Sequence, residues 1–258
     1  MTSVDLTTSE EIATLTLSNP NKLNAINLAM WQQLAAHMTS LSSDLAIRCI
    51  VIRGAGNEAF AAGGDLEEFV GHRATLAQAL HYHEQVAAAL NAIADCPHPT
   101  VALIQGACIG GGLEIAGACD LRISSESARF GAPINKLGFS MYPGEMESLL
   151  KLAGAAVMKE ILLEGRILSA REAYEKGLLT RVVTDDRCEE EAYATARRIC
   201  AGAPLVAGWH KQWIRRLQTD QPLSDTEKAA SFAFLDTEDY KEGLAAFLEK
   251  RKPQFKAR

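Results

Sequence analysis

Along the first 130 residues, short apolar segments alternate with longer segments of helical periodicity. Residues 11–17 alternate between apolar and polar side chains, as in a half-buried strand, and Asn27 is placed to cap a helix over residues 27–41. Further strands are predicted over residues 47–53, 101–104, 120–124 and 128–130, and a long helix over residues 76–94. This succession of strands and helices is typical of an α/β fold.

The pattern becomes almost entirely helical after residue 146. Helices are predicted over residues 146–152, 156–163, 170–176, 188–201, 205–217, 223–235 and 239–250. Periodicity alone therefore predicts strand–strand–helix units followed by a helical C-terminal part.

Composition narrows the class of protein. The 258 residues are 48% hydrophobic, which is enough for a substantial core, and the net charge of −6 with no long basic run disfavours binding to nucleic acid or to an anionic membrane. The first residues do not resemble a secretory signal. The most apolar stretch, residues 100–119, is interrupted by Gln105, several glycines and Glu114, so no membrane span is expected.

The cysteines favour a reducing compartment. Six are present and no two have CxxC spacing: Cys49, Cys96, Cys108, Cys119, Cys188 and Cys200. Most lie among apolar residues, which predicts buried, reduced thiols in a cytoplasmic protein.

Two glycine-rich segments carry the first chemical signal. Gly110-Gly111-Gly112 lies between a predicted strand and a helix that contains Glu114, and Gly63-Gly64 precedes Asp65, which is placed to cap another helix. Glycines allow a ligand to approach the backbone closely, and the N–H groups that open a helix are unpaired and partly positive. We therefore expect two backbone donors to converge on one oxygen, beside a carboxylate suited to acid–base catalysis.

Five segments of the chain, taken together, resemble the enoyl-CoA hydratase/isomerase (crotonase) superfamily. In one-letter code they read NPNKLNAIN (19–27), FAAGGD (60–65), GACIGGGLEIAGACD (106–120), FGAP (130–133) and EGLAAFLEKRK (242–252). They occur in the order and spacing of that family and extend over almost the whole chain. The combination is highly specific for the superfamily and much less specific for the reaction.

The resemblance implies an architecture and a partner. It implies an α/β fold with a ββα spiral core over residues 1–200 and a C-terminal helical trimerisation region over residues 201–258. The protein is expected to form a homotrimer or a dimer of trimers. No metal or redox cofactor is implied, because coenzyme A enters as part of the acyl-CoA substrate.

The resemblance also implies roles for individual residues. The N–H groups of Gly64 and Gly111 would form an oxyanion hole for the thioester oxygen, and Glu114 would act as a catalytic acid or base. The residues expected to bind coenzyme A are Lys22, Leu23, Ala62, Asp65 and Leu66, with Phe247 and Lys250 reaching it from a neighbouring subunit.

One position departs from the hydratase pattern. A second catalytic glutamate should follow Pro133, but the chain has Ile134 there. The segment that follows is two residues longer than is common in the family before its Pro-Gly pair, here Pro143-Gly144. Some superfamily members with other chemistries place a catalytic acid next to that pair, so the resemblance makes Glu145 or Tyr142 a candidate replacement. The alternative is a reshaped surface turn in which Glu145 only favours the start of the next helix.

Hydration of a 2-enoyl-CoA is the leading functional hypothesis. Isomerisation, decarboxylation of a malonyl-type CoA and non-catalytic acyl-CoA binding stay open, and Ile134 favours decarboxylation somewhat. Candidates for the acyl pocket are Phe69, Tyr82, Phe139, Met141 and Tyr142.

Two other motifs are interpreted as incidental. Residues 54–59 imitate a dinucleotide fingerprint but do not open a helix. His81 and His83 are two positions apart on a predicted helix and so point in different directions. They are expected to belong to a solvated face instead of a metal site.

Overall fold

The computed structural model describes residues 2–258, which form ten strands and ten α-helices. The strands are β1 (Ser3–Ser9), β2 (Ile12–Ser18), β3 (Cys49–Gly54), β4 (Ala59–Ala61), β5 (Thr100–Ile104), β6 (Ala107–Ile109), β7 (Leu121–Ser125), β8 (Arg129–Gly131), β9 (Ile167–Ser169) and β10 (Arg181–Val183). The helices are α1 (Leu28–Ser42), α2 (Leu66–His72), α3 (Leu76–Asp95), α4 (Gly111–Ala118), α5 (Pro143–Glu164), α6 (Ala170–Glu175), α7 (Cys188–Cys200), α8 (Pro204–Leu217), α9 (Asp225–Ala230) and α10 (Glu238–Glu249).

The strands form two sheets, and successive segments of the chain add strands to both of them. The six-stranded sheet has the order β1-β2-β3-β5-β7-β10, and the four-stranded sheet has the order β4-β6-β8-β9. In the successive pairs β3 and β4, β5 and β6, and β7 and β8, the first strand joins the larger sheet and the second joins the smaller one. Because β3, β5 and β7 are parallel neighbours, as are β4, β6 and β8, each unit advances by one strand in both sheets. The chain therefore winds as an α/β spiral, which confirms the expected fold class.

The larger sheet is buried on both faces. Cys49 and Val51 of β3 point to one hydrophobic cluster, which α7 covers with small side chains, whereas Ile50 and Ile52 point to the main core. Since a strand presents alternate residues to opposite faces, burial of both faces explains the continuous apolar runs in the sequence.

Caps define several helix boundaries, two of them, Asn27 and Asp65, as predicted. The Asn27 side chain accepts a hydrogen bond from the Met30 N–H at 2.8 Å and so begins α1, and Asp65 caps α2 by accepting from the Glu67 N–H. Thr75 and Gln78 form a reciprocal capping box at the start of α3.

Other predictions for the second half of the chain were wrong. The short strands β9 and β10 lie where only helices were expected, because three residues are too few to show a period of two. The single helix predicted over residues 223–235 is instead α9 and a separate 3-10 turn, Ala233–Asp236. A capping box between Ser224 and Glu227 sets the start of α9.

Helix α5 begins three residues earlier than predicted, at Pro143, and is interrupted at Gly154, whose φ is 78°. The two helices predicted here thus correspond to its two halves. All six cysteines are buried, and among the described residues none is paired in a disulfide. No helix within residues 2–258 combines the length and the apolar character needed to cross a membrane.

Candidate active site

The first glycine loop connects β4 to α2 and is held by the chain around residue 26. The Ile26 N–H donates to the Gly63 carbonyl at 2.7 Å, and the Asp65 N–H donates to the Ile26 carbonyl at 2.8 Å. These two bonds lie on either side of Gly64. Within residues 2–258 the Gly64 N–H has no hydrogen-bond acceptor. The loop therefore presents one unpaired backbone donor.

The second glycine loop connects β6 to α4. Gly110 has φ of 49° and donates its N–H to the Gly131 carbonyl at 2.9 Å, which anchors the loop to β8. Gly111 is the first residue of α4, so its N–H lacks an intrahelical acceptor, and no other acceptor is found within residues 2–258. A second unpaired donor thus lies at the helix N-terminus, where the helix dipole favours negative charge.

The two loops are in main-chain contact. A Cβ atom built on Gly110 would lie 3.6 Å from the Gly63 Cα, and one built on Gly112 would lie only 2.4 Å from the Ala61 carbonyl oxygen. Glycine is needed at residue 112 because any side chain would collide with that oxygen. The close packing brings Gly64 and Gly111 to the wall of one cavity of about 190 Å³.

Glu114 lies in the first turn of α4 and is buried, with 7% of its surface exposed. Its carboxyl group makes no hydrogen bond to the described residues and borders the same cavity. Burial raises the pKa of Glu114 well above its ordinary value of 4.5, and the charge of Glu145 raises it further, whereas Arg73 opposes the shift. An elevated pKa keeps the carboxyl group protonated at a higher pH than that of an exposed glutamate.

Glu145 reaches the cavity from the first turn of α5 and is also buried. A hydrogen bond joins its Oε1 atom to Nδ1 of His83, which projects from α3. The His83 ring is in turn stacked on Tyr142, with centroids 4.7 Å apart. The interpretation of Glu145 as part of a surface turn was therefore wrong, since the chain folds this carboxylate inward and gives it a partner.

His83 was also misassigned from the sequence. His81 is exposed, as expected of a solvated face, but His83 is buried and borders the cavity. Val86 and Leu90, three and seven residues further on, belong to the buried face of α3. Helical periodicity therefore contained the signal that places His83 on the same face. Among the described residues, no three His, Cys, Asp or Glu side chains are grouped as metal ligands.

The position expected to hold a second glutamate is apolar. Ile134 begins a short 3-10 turn and borders the cavity together with Glu114 and Glu145. Of the candidates for an acyl pocket, four line this cavity: Phe69, Tyr82, Phe139 and Met141. Tyr142 does not line it, because its ring packs on His83 and its surface is 38% exposed.

An arginine that was not singled out in the sequence also lines the cavity. The Arg73 guanidinium lies 4.1 Å from the centre of the Phe69 ring and 4.9 Å from that of Phe139. Arg73 follows Phe69 by four residues, at the C-terminal end of α2, where no pattern in the sequence distinguishes it from a surface arginine.

The segment around Lys22 lies beside the first glycine loop. Lys22 forms ion pairs with Asp65 at 2.7 Å and Glu67 at 2.9 Å, and hydrogen bonds to these two carboxylates raise its pKa. The Ala62 N–H donates to the Leu23 carbonyl at 3.0 Å. Lys22, Leu23, Ala62, Asp65 and Leu66 are thus adjacent, and both Leu23 and Leu66 are about half exposed.

Phe247 and Lys250 lie elsewhere in the chain. Phe247 is 81% exposed on α10 and borders a separate groove of about 590 Å³ between C-terminal helices. Lys250 ends α10 with φ of 56°. Within a single chain, neither residue meets the cavity that holds Glu114.

Comparison with known proteins gives a consistent result. Residues 7–258 match a family model described as enoyl-CoA hydratase/isomerase. A Rhizobium meliloti protein with the description "Probable enoyl-CoA hydratase" is 34% identical over 254 residues, with 97% of this chain and 96% of that protein covered. A crotonyl-CoA hydratase from Syntrophomonas wolfei is 30% identical over 248 residues, with 95% of each covered.

Solved structures show the same similarity. The crystal structure of an enoyl-CoA hydratase/carnithine racemase from Magnetospirillum magneticum superposes with a TM-score of 0.97. The two sequences are 48% identical, and the match covers 99% of this chain and 96% of that one.

Proposed function

Since the chain belongs to the enoyl-CoA hydratase/isomerase family, the crotonase superfamily, we propose that it is an acyl-CoA enzyme that hydrates a 2-enoyl-CoA thioester. One observation carries this proposal. Two unpaired backbone N–H groups, of Gly64 and Gly111, and two buried carboxyl groups, of Glu114 and Glu145, border a single cavity.

The two N–H groups act on the thioester oxygen. When a nucleophile adds to the β-carbon of an enoyl thioester, negative charge moves to that oxygen and an enolate forms. Donors that are already in place stabilise this charge without reorganisation, and loss of one donor in comparable sites costs about 3 kcal/mol of transition-state stabilisation. Gly64 and Gly111 together constitute the oxyanion hole of this proposal.

The carboxyl groups divide the proton transfers. We assign Glu145 the role of general base: its carboxylate accepts a proton from water while the water oxygen bonds to the β-carbon. Glu114, whose pKa is raised by burial, is the protonated member and donates its proton to the α-carbon as the enolate collapses. Proton exchange with solvent then restores both groups.

The coenzyme A part of the substrate lies along the segment beside the first glycine loop. We assign its binding to Lys22, Leu23, Ala62, Asp65 and Leu66, where backbone groups and exposed apolar side chains are adjacent. The ion pair between Lys22 and Asp65 holds the two segments of this surface together.

Assembly as a homotrimer or a dimer of trimers completes the proposal. Helix α10 exposes three large apolar side chains, Leu244, Phe247 and Leu248. Exposed apolar clusters of this kind favour contact with another subunit. In that assembly, Phe247 and Lys250 would approach the coenzyme A of a neighbouring subunit, and light scattering on the purified protein would give the number of subunits.

A second candidate is a different enolate reaction, isomerisation or decarboxylation, and Ile134 favours it. An isoleucine borders the cavity where a hydratase of this family carries a glutamate. Decarboxylation needs oxyanion stabilisation but not two carboxylates.

The deciding experiment follows the loss of the conjugated enone absorbance of crotonyl-CoA, with Glu114→Gln as the comparison. Rapid loss with the wild type alone supports hydration. Binding of crotonyl-CoA without loss, together with turnover of a 3-enoyl-CoA or a malonyl-type CoA, supports the alternative. Binding without turnover of any of these thioesters indicates an acyl-CoA binder and contradicts both.

A further inference from the structure

Arg73 carries a positive charge into the cavity without a matching anion. Its guanidinium lies over the Phe69 ring, 4.1 Å from the centroid, and it forms no ion pair or side-chain hydrogen bond within residues 2–258. Contacts with aromatic rings stabilise a partly desolvated guanidinium less than an ion pair with a carboxylate does. The charge is thus positioned but lacks a counter-ion.

The nearby carboxylates are engaged elsewhere. Glu67 is bound to Lys22, and Glu68 accepts a hydrogen bond from the Leu28 N–H at 2.8 Å. Glu145 is bound to His83. The charge of Arg73 acts to lower the pKa of Glu114, but the two side chains are not hydrogen-bonded. Residues 2–258 of the chain therefore provide no hydrogen-bonded anion that would neutralise Arg73.

The surroundings hold Arg73 in place as a binding group. Phe69 packs edge-on against Phe139 and Tyr82, with centroid distances of 5.8 Å and 5.6 Å, and Arg73 lies against all three rings. A guanidinium packed on aromatic rings loses less freedom when it binds a carboxylate with two parallel hydrogen bonds. The cavity wall also contains the apolar side chains of Val86, Leu137 and Met141, which suit an acyl chain.

We infer that the preferred acyl group bears a carboxylate at its far end, which Arg73 binds, so that the substrate is a dicarboxylic acyl-CoA thioester. This inference rests on the proposed function, because it assumes that the cavity receives the acyl part of a coenzyme A thioester. It goes beyond that function by specifying the charge of the acyl chain.

Binding of saturated thioesters tests the inference separately from catalysis. Glutaryl-CoA and pentanoyl-CoA have the same number of acyl carbons and differ in a terminal carboxylate or methyl group. In calorimetric titrations of the purified protein, glutaryl-CoA is expected to bind about tenfold more tightly. Arg73→Met should abolish the difference by weakening glutaryl-CoA alone, and Arg73→Lys should retain part of it. Arg171→Met, which changes an exposed arginine on α6, is the matched control and should retain all of it.

Three results would overturn the inference. Equal affinity of the wild type for the two thioesters removes the preference itself. If Arg73→Met lowers the affinity for both thioesters and for free coenzyme A equally, Arg73 contacts the coenzyme A part of the ligand or has only a structural role. Failure of the wild type to bind either thioester contradicts the proposed function as well. The comparison of glutaryl-CoA with pentanoyl-CoA on the wild type tests the preference even if Arg73→Met does not fold.

Discussion

Nδ1 of the His83 imidazole and Oε1 of the Glu145 carboxyl group are joined by a hydrogen bond across 62 residues of sequence. Both side chains are about nine-tenths buried, and Tyr142 stacks on the imidazole ring. The bond couples the position of the proton on the imidazole to that on the carboxyl group, because one of the two atoms must donate and the other accept. It also sets the orientation of the carboxylate toward the cavity.

Replacement of His83 should lower turnover by releasing Glu145. His83→Ala is expected to reduce kcat about tenfold to a hundredfold with little change in KM, because a catalytic group displaced by about 1 Å costs rate and not affinity. The pH dependence of kcat should also shift, which a purely structural role would not produce. His81→Ala is the control on the same helix. An equal loss of kcat in both variants would show that the hydrogen bond between His83 and Glu145 does not contribute to catalysis.

Glu114→Gln should remove activity and increase stability. Loss of the acid should reduce kcat about 10²-fold to 10⁴-fold. Because the folded-state pKa is raised, the stability associated with the protonated carboxyl group is present below about 4.5 and is lost as pH rises through the folded pKa. Glutamine cannot ionise and escapes that loss.

Thermal melts over a pH series measure this effect. The Tm of Glu114→Gln should exceed that of the wild type by a margin that widens as pH rises above 4.5 and then levels off. Glu175→Gln changes an exposed glutamate and should show no such trend. A wild-type Tm above that of Glu114→Gln at neutral pH would show that the folded protein stabilises the ionised carboxyl group, and would contradict the raised pKa.

A carboxylate at residue 134 should compensate for the loss of Glu145. Glu145→Ala is expected to reduce kcat by about 10² or more, and the double variant Ile134→Glu/Glu145→Ala should regain about tenfold, since both positions border one cavity. In the double variant Ile134→Gln/Glu145→Ala, glutamine matches the size of glutamate but carries no charge, so kcat should not recover. Equal activity of the two double variants would show that Glu145 does not fill the role of the absent glutamate.

Gly112→Ala should destabilise the fold. Its new methyl group would lie 2.4 Å from the Ala61 carbonyl oxygen, so the backbone must shift, and we expect a loss of about 1–3 kcal/mol in the free energy of unfolding. Gly71→Ala is the matched control in α2, where nothing lies within 4 Å, and it should be neutral or stabilising by up to about 1 kcal/mol. Urea unfolding of the three proteins measures both changes, and equal stability of the two variants would disprove the steric argument.

The elements with strong local signals could be predicted from the sequence. Helix α1 begins at the Asn27 cap, and the buried strand β3 lies within one or two residues of its predicted bounds, because a cap and a continuous apolar run are local properties. The glycine loops were also found, because consecutive glycines between a predicted strand and a predicted helix are visible in the sequence itself. Strands β9 and β10 had no comparable signal, because pairing with distant strands defines them.

The site was only partly predictable for a similar reason. Gly64, Gly111 and Glu114 belong to motifs that are continuous in sequence. The partnership of His83 with Glu145 depends on the packing of α3 near α5, which no local pattern encodes. Arg73 differs from an ordinary surface arginine only in the rings that surround it in the folded chain.

The contact between the two glycine loops involves main chain on both sides, from Gly63 to Gly110 and from Ala61 to Gly112. At these two points the separation of the loops is set by main-chain packing, and neither Ile134 nor Arg73 takes part in it. A change of side chain at residue 134 or 73 therefore leaves this main-chain contact in place. The acid–base groups and the acyl preference are separable from the pair of backbone amides, so one scaffold can hold the amides fixed while its reaction and its substrate are changed.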